Sequence, residues 1–241
     1  MTRADVKSPR VKSAGTALLR GLFLFLLTLP LHAQTGDHSI ALSVGYLDAS
    51  QIFLYPQSSD PVLRDETADI GSSFCYAGGY RFNLYPSIAV QLHAEYVSGR
   101  SSRSDQVGTV EKNGFDVWLL EADAVFTLPF STRRFQMYVG GGGGMYLGRR
   151  IHSIAGVSAE TVSSTPAVGI HVLVGAEYML TEHLAVRADI IFRDPQISVE
   201  NRFPQERVLS NGVEYPLRDE PFRSHINLNG NVYSLGWAWY F

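Results

Sequence analysis

Glu121 and Asp123 stand two residues apart in WLLEADAVF. In an extended strand that spacing puts both carboxylates on one face, near enough for their titrations to couple. Paired carboxylates are the usual raw material of general acid–base chemistry. Seven more ionisable residues fall on the matching face of other alternating segments: Arg81, His93, Glu95, His171, Glu177, Arg187 and Asp189. Counting outward from a three-residue turn at 181–183 sets Glu177 opposite Arg187, a cross-strand ion pair. The same counting about a turn at 129–134 sets Asp123 opposite Gly140 and Glu121 opposite Gly142. Gly140, Gly142 and Gly144 would then leave room for side chains, with Gly141 and Gly143 on the other face. No cleft or substrate route is visible at the carboxylates, so no catalytic residue is expected. The seven His residues are scattered without the spacing of metal ligands, and no metal or cofactor is expected. GGGGG at 140–144 lacks the Lys and the helix that follow in a phosphate-binding loop.

The elements that position these residues begin after a leader. Arg3, Lys7, Arg10, Lys12 and Arg20 stand against Asp5 alone, and GLFLFLLTLPL then runs uncharged from 21 to 31. Leu31-His32-Ala33 closes the run, the pattern of a cleaved secretory signal peptide over residues 1–33. The run is too short to span a bilayer as a helix. Residues 34–241 suit one domain. Five of the 20 basic residues and one of the 23 acids lie in the leader, so its removal takes the net charge from −3 to −7. Such a chain is not a nucleic-acid binder. Cys75 is the one cysteine, which excludes an internal disulfide, and Lys112 is the one lysine after the leader. A surface that meets water normally carries more charge.

Period-two alternation recurs eight times, near 39–46, 73–82, 90–96, 118–127, 137–145, 171–178, 184–193 and 233–241. Three connections are short, at 83–87, 129–134 and 181–183. Four are long, at about 47–71, 99–114, 148–165 and 194–225. Short turns at one end and long loops at the other predict an all-β, eight-stranded antiparallel up-and-down barrel. A soluble barrel would show its polar face to water. Here that face is mostly Ser, Ala, Gly, Gln and Tyr, while the apolar face carries aromatics at strand ends. The reading is therefore a transmembrane barrel with short periplasmic turns and long extracellular loops.

The chain closes on SLGWAWYF, in which Ser234, Gly236, Trp239 and Phe241 fit polar–x–Gly–x–x–aromatic–x–aromatic. That pattern resembles the assembly signal of bacterial outer-membrane barrels, which implies recognition by the barrel insertion machinery. YVGGGGGMYLG and VGAEYMLTEHLAVRADIIF resemble the fifth strand and following hairpin of the small OmpA-like, OmpX-like and OmpW-like barrels. The resemblance covers residues from about 38 to 241. It implies the fold and the outer membrane, where a monomer in contact with lipid is expected. It implies no single function.

Known eight-stranded lipid-modifying barrels suggest one enzymatic rival. His225 in HINLNG suits a deacylase, yet Asn227 stands where a Ser nucleophile would be sought and no acid follows on the last strand. The inward charges read as a polar plug or as a narrow channel, and an interior filled by side chains favours the plug. A structural or surface-interaction role is expected. Passage of small apolar solutes is the alternative, with Leu119 and Leu173 its inward apolar hints. The 194–225 segment, rich in both charge signs, reads either as a loop that bridges lipopolysaccharide phosphates through Arg or divalent ions or as a solvated loop. ISVE and GVEY within it would extend the barrel as a hairpin above the membrane. Replacement of 196–222 by a short linker is expected to leave the barrel able to fold.

Overall fold

The computed structural model describes residues 37–104, 108–217 and 219–241, so the expected leader at 1–33 lies outside the described residues. In chain order the first eight strands are β1 (His38–Leu47), β2 (Gln51–Phe53), β3 (Thr67–Asp69), β4 (Ser73–Tyr85), β5 (Ile88–Ser104), β6 (Val110–Thr127), β7 (Phe135–Ile154) and β8 (Val157–Ser158). They are followed by β9 (Glu160–Thr165), β10 (Ala167–Met179), β11 (Leu184–Arg193), β12 (Gln196–Arg202), β13 (Arg207–Ser210), β14 (Val213–Pro216), β15 (Phe222–Asn227) and β16 (Asn231–Tyr240). Strands β1, β4, β5, β6, β7, β10, β11 and β16 pair in that order, all antiparallel, and β16 returns to β1. The closing seam runs from Ser39 opposite Tyr240 to Leu47 opposite Val232. Phe241 N donates to His38 O at 3.0 Å and extends it by one residue. Closure leaves no barrel edge with unpaired backbone groups, the condition for spanning a bilayer with strands.

Burial is the reverse of that in a water-soluble barrel. Leu42 and Trp237 are 68% and 56% exposed, whereas Glu95 and Glu177 are each 1% exposed. Exposed aromatics form two bands. Tyr46, Phe74, Tyr76, Trp118, Phe192 and Tyr233 lie towards the loops, and Tyr85, Phe126, Phe135, Tyr178 and Trp239 towards the short turns. An apolar belt between two aromatic girdles is what lipid contact selects.

Two expectations need correction. Asp123 lies opposite Gly142, not Gly140, and Glu121 opposite Gly144, not Gly142. The turn between β6 and β7 is centred one residue later than its composition suggests. Thr132 accepts from Phe135 N through its side chain at 3.0 Å, and Leu128 N donates to Met137 O at 2.8 Å. Moving a turn centre by one residue moves the register by two, so every side chain keeps its face. Gly144 does make room: a Cβ there would stand 2.7 Å from Glu121 Cγ and 3.0 Å from the Tyr146 hydroxyl.

The second correction concerns the long loops. Strands β5, β6 and β7 continue well beyond the girdle, and β3, β2, β15, β12 and β9 form a second sheet on the loop side. ISVE lies in β12, but it pairs with β15, Ile197 opposite Ile226; GVEY pairs with β13 instead. The 194–225 segment is therefore a packed, paired element and not a solvated loop. Ile197, Val199 and Ile226 are buried in one cluster with Leu119, Leu173, Phe115 and Val117. This apolar cap fills the upper end of the barrel. Ile197→Ala is expected to lower stability by about 2–5 kcal/mol, the cost of emptying a packed aliphatic site. Urea unfolding in lipid vesicles would read it, and an unchanged midpoint would show that the cap carries no load.

Candidate functional site

The lumen below the cap holds a connected set of ionised and polar side chains. Nearest the short turns, Glu177 lies opposite Arg187 on β10 and β11. One Glu177 oxygen receives Arg187 at 3.4 Å and also Arg81, from β4 across the lumen, at 3.1 Å. The other accepts the Tyr240 hydroxyl at 2.7 Å. Gln91 Oε1 accepts from both guanidinium groups, at 3.0–3.2 Å, and its amide donates to Asp123 at 3.3 Å. The Arg81 guanidinium also sits 4.3 Å above the Tyr138 ring, whose hydroxyl donates to Asp189.

The tier above is centred on Glu121. It accepts from Arg193 at 3.2 Å and from the Tyr146 hydroxyl at 3.1 Å, and His93 Nδ1 is 3.2 Å away. His171 bridges Glu121 and Asp123, and Arg193 also clasps Glu95. All nine inward residues singled out from the sequence thus enter this lumen network. Sequence reasoning missed five more members: Gln91, Tyr138, Tyr146, Arg193 and Tyr240. Parity alone would have found Gln91 and Arg193, since both alternate with lipid-facing neighbours. Parity places Tyr138, Tyr146 and Tyr240 inward too, out of phase with Val139, Met145 and Trp239, although composition does not set them apart from outward tyrosines.

The arrangement sets buried charges of opposite sign against one another. Three guanidinium groups face five carboxyl groups, with two imidazoles set against the surplus acids. The internal space against His93, Glu121, Asp123 and His171 is about 20 Å³, room for about one water molecule. Among the described residues, no group of three or more His, Cys, Asp or Glu is arranged to hold a metal ion. His225 lies in the second sheet opposite Ser198 and Phe53, and neighbouring Ser224 is buried with its hydroxyl directed to Val199 O at 3.5 Å.

Residues 21–241 match the family model described as outer membrane protein beta-barrel domain. The chain belongs to that family. Its place is accordingly the bacterial outer membrane. OprG from Pseudomonas aeruginosa has a similar fold, with a TM-score of 0.63 at 16% identity over 86% of this chain and 97% of that one. The Ail protein of Yersinia pestis aligns over 86% of this chain and all of its own, at 14% identity and a TM-score of 0.42. The outer membrane protease OmpT from Escherichia coli gives 9% identity and 0.45, over 88% and 99%. Curated protein sequences give no match.

In this family member the last strand is an integral wall element. Ser234 and Gly236 point inward, Ser234 opposite Gly45 and Asp189, and Gly236 opposite Ser43 and Arg187. A Cβ on Gly236 would stand 2.6 Å from Ser43 Cβ, so the close β1–β16 approach requires glycine there. Trp239 faces lipid and stacks on His183, with ring centroids 6.1 Å apart. Phe241 stacks on His38 at 5.9 Å.

Proposed function

We propose that this protein is a closed, non-conducting and non-enzymatic outer-membrane barrel, monomeric, whose extracellular sheet is its working surface. The observation that carries this reading is the filled lumen. Glu95, Glu177, Tyr138, Tyr146 and Leu119 are all fully buried inside it, and the space bordered by Gln91, His93, Glu121, Asp123 and His171 is about 20 Å³. A hydrated ion needs a continuous water path, which a polar network packed to this degree disfavours. The protein lifts an ordered sheet and the β13–β14 hairpin above the membrane, a platform suited to surface contacts. Closure of all eight strands below His171 and Arg193 leaves no membrane-level edge to share and supports the monomer. In planar bilayers the purified barrel should give no sustained conductance steps. Stable steps of uniform size would overturn the plug reading.

A second reading, lateral passage of small apolar solutes, is favoured by one feature of the wall. Pairing between β10 and β11 ends at His171 opposite Arg193, and Asp194-Pro195 interrupts the chain there. Beyond that point β10 pairs with β7, and Val168 and Ile170 are 84% and 85% exposed. An apolar upper lumen lies behind this seam, although Leu173, Ile191 and Ile197 fill it. Barrel-dependent uptake of a small apolar fluorophore by intact cells would favour this reading over the plug.

The closing strand also serves assembly in this proposal, through Trp239 and the terminal Phe241. Deleting Phe241 removes about 1.5–3 kcal/mol of apolar burial at most, which a barrel closed by the full β1–β16 ladder should tolerate. Refolding into detergent is expected to stay near normal, while outer-membrane yield in cells falls and periplasmic protein accumulates. Unaltered yield in cells would remove the signal role. Failure in both settings would make Phe241 chiefly structural.

A further inference from the structure

On the outer wall, just above the loop-side girdle, β5, β6 and β7 bring a cluster of charge together. Asp116 lies opposite Arg149 on β7, and Arg100 comes from β5 one rung higher. Arg100 binds one Asp116 oxygen at 2.6 Å. Arg149 binds the other through two nitrogens, at 2.7 and 2.9 Å. Tyr96 donates its hydroxyl to the same carboxylate at 3.0 Å, and its ring packs 5.0 Å from that of Trp118. Exposure divides sharply: the Asp116 side chain is 6% exposed, those of Arg100 and Arg149 46% and 67%. Lys112 stands on the same face two rungs above Asp116.

We infer that this cluster is a binding site for the phosphate of a lipid headgroup in the outer leaflet. The inference is independent of whether the lumen conducts, and rests on the membrane setting alone. Two arginines hold one carboxylate, with Lys112 about 13 Å further along the same face, in a chain whose residues 34–241 carry net −7. The single lysine after the leader lies here. Asp116 acts as a buried clamp. It is shielded from solvent and holds both guanidinium groups in place; Arg100 also donates one nitrogen to the Gly99 and Phe115 carbonyls, which leaves the more exposed Arg149 as the main outward donor. Exposed guanidinium groups fixed in this way suit phosphate oxygens, by charge-assisted hydrogen bonds. The height is right as well. Trp118 marks the edge of the hydrocarbon, and Asp116 and Arg149 are about 7 Å further along the strand, at two residues. Phosphate groups of outer-leaflet glycolipid lie in that layer, with acyl chains reaching down over Tyr96 and Trp118.

The test uses the full barrel refolded in neutral detergent and titrated with diphosphorylated lipid A, bound lipid being counted by native mass spectrometry. Dephosphorylated lipid A and inorganic phosphate are the comparison probes. The variant is Arg100→Gln with Asp116→Asn and Arg149→Gln, which leaves no buried carboxylate unpaired and changes net charge by one. Arg202→Gln, in the extracellular sheet, makes the same charge change elsewhere. The parent should bind diphosphorylated lipid A about tenfold more tightly than the dephosphorylated form, and the triple variant should lose about that factor, roughly 1.4 kcal/mol. Arg202→Gln should bind as the parent does. An equal loss in Arg202→Gln would reduce the effect to general charge and overturn the site, as would an unaffected triple variant. Should the triple variant fail to fold, Lys112→Gln must weaken binding at least about twofold in the folded barrel, and no change there would equally overturn it. Competition by inorganic phosphate at the concentration where lipid A saturates would overturn the lipid as its source.

Discussion

Replacing Glu177 by Gln is expected to destabilise the barrel by about 3–5 kcal/mol, the range for removing one partner of a buried ion pair. The carboxylate is 1% exposed and receives Arg81, Arg187 and Tyr240 together. A neutral amide in its place leaves two guanidinium groups buried without an anion between them. Cross-strand counting alone points to Arg187 as the sole partner and to Arg187→Met as the costly change. The structure alters that ranking. With Arg187 removed, Glu177 still has Arg81 at 3.1 Å, so Arg187→Met should cost less than Glu177→Gln. Double-mutant cycles of Glu177→Gln with Arg81→Met and with Arg187→Met should both show coupling, because the two arginines share one carboxylate. Urea unfolding in thin lipid vesicles, followed by tryptophan fluorescence, measures each corner. A Glu177→Gln midpoint close to the parent's would mean that solvent or another acid balances the arginines.

How much of this was legible in the sequence follows from which contacts are local. Lipid demands apolar side chains at every second position and a closed ladder, so strand positions, facing and closure were all readable from alternation. The terminal strand was readable for the same reason, Trp237 and Trp239 sharing a face with Leu42 and Ile40 of β1. Adjacent-strand pairing such as Glu177 with Arg187 follows from the length of a tight turn. The β6–β7 register was missed by two because Ser131, Thr132 and Leu128 fold a turn whose centre composition does not mark. Contacts across the lumen were illegible altogether. Arg81 reaches Glu177 from β4 to β10, and Arg193 reaches Glu95 from β11 to β5, and only closure at a particular diameter brings such pairs together. The extracellular sheet was hidden for another reason. RSSRS and VEKNG continue the β5–β6 ladder above the lipid, where neither face needs to be apolar, so the period-two signal disappears while the hydrogen bonds persist. The apolar cap left a fainter trace. Val97, Val117, Leu119, Leu173 and Ile191 are all inward by parity, but only Leu119 and Leu173 read as apolar hints, because Arg, Glu and Asp crowd the same face.

That apolar cap sets the second large effect. Leu119→Arg should cost about 4 kcal/mol or more, beyond the range of ordinary point substitutions, whereas its neighbour Leu120→Arg should cost about 2–4 kcal/mol at most. From alternation alone the inward site appears the gentler of the two, because an arginine there would meet a polar lumen. The structure places Leu119 fully buried, in one cluster with Val97, Val117 and Leu173. Glu95 lies opposite it in the ladder, but Arg193 already holds that carboxylate. A new guanidinium would therefore be desolvated without a free acid, the costly case for buried charge. Leu120 faces lipid one rung below Trp118, and a long side chain there can bend its charged end up to the interface. Leu119→Ala supplies the packing term, about 2–5 kcal/mol, and the excess of Leu119→Arg over it reports charge burial. Adding Arg193→Leu to Leu119→Arg should recover part of the loss, since Glu95 and Glu121 are then released to the new arginine. Equal losses for Leu119→Arg and Leu120→Arg in the same lipid titration would show that water reaches the upper lumen. The filled-lumen reading would fail with that result, and lateral passage would become the better account of the barrel.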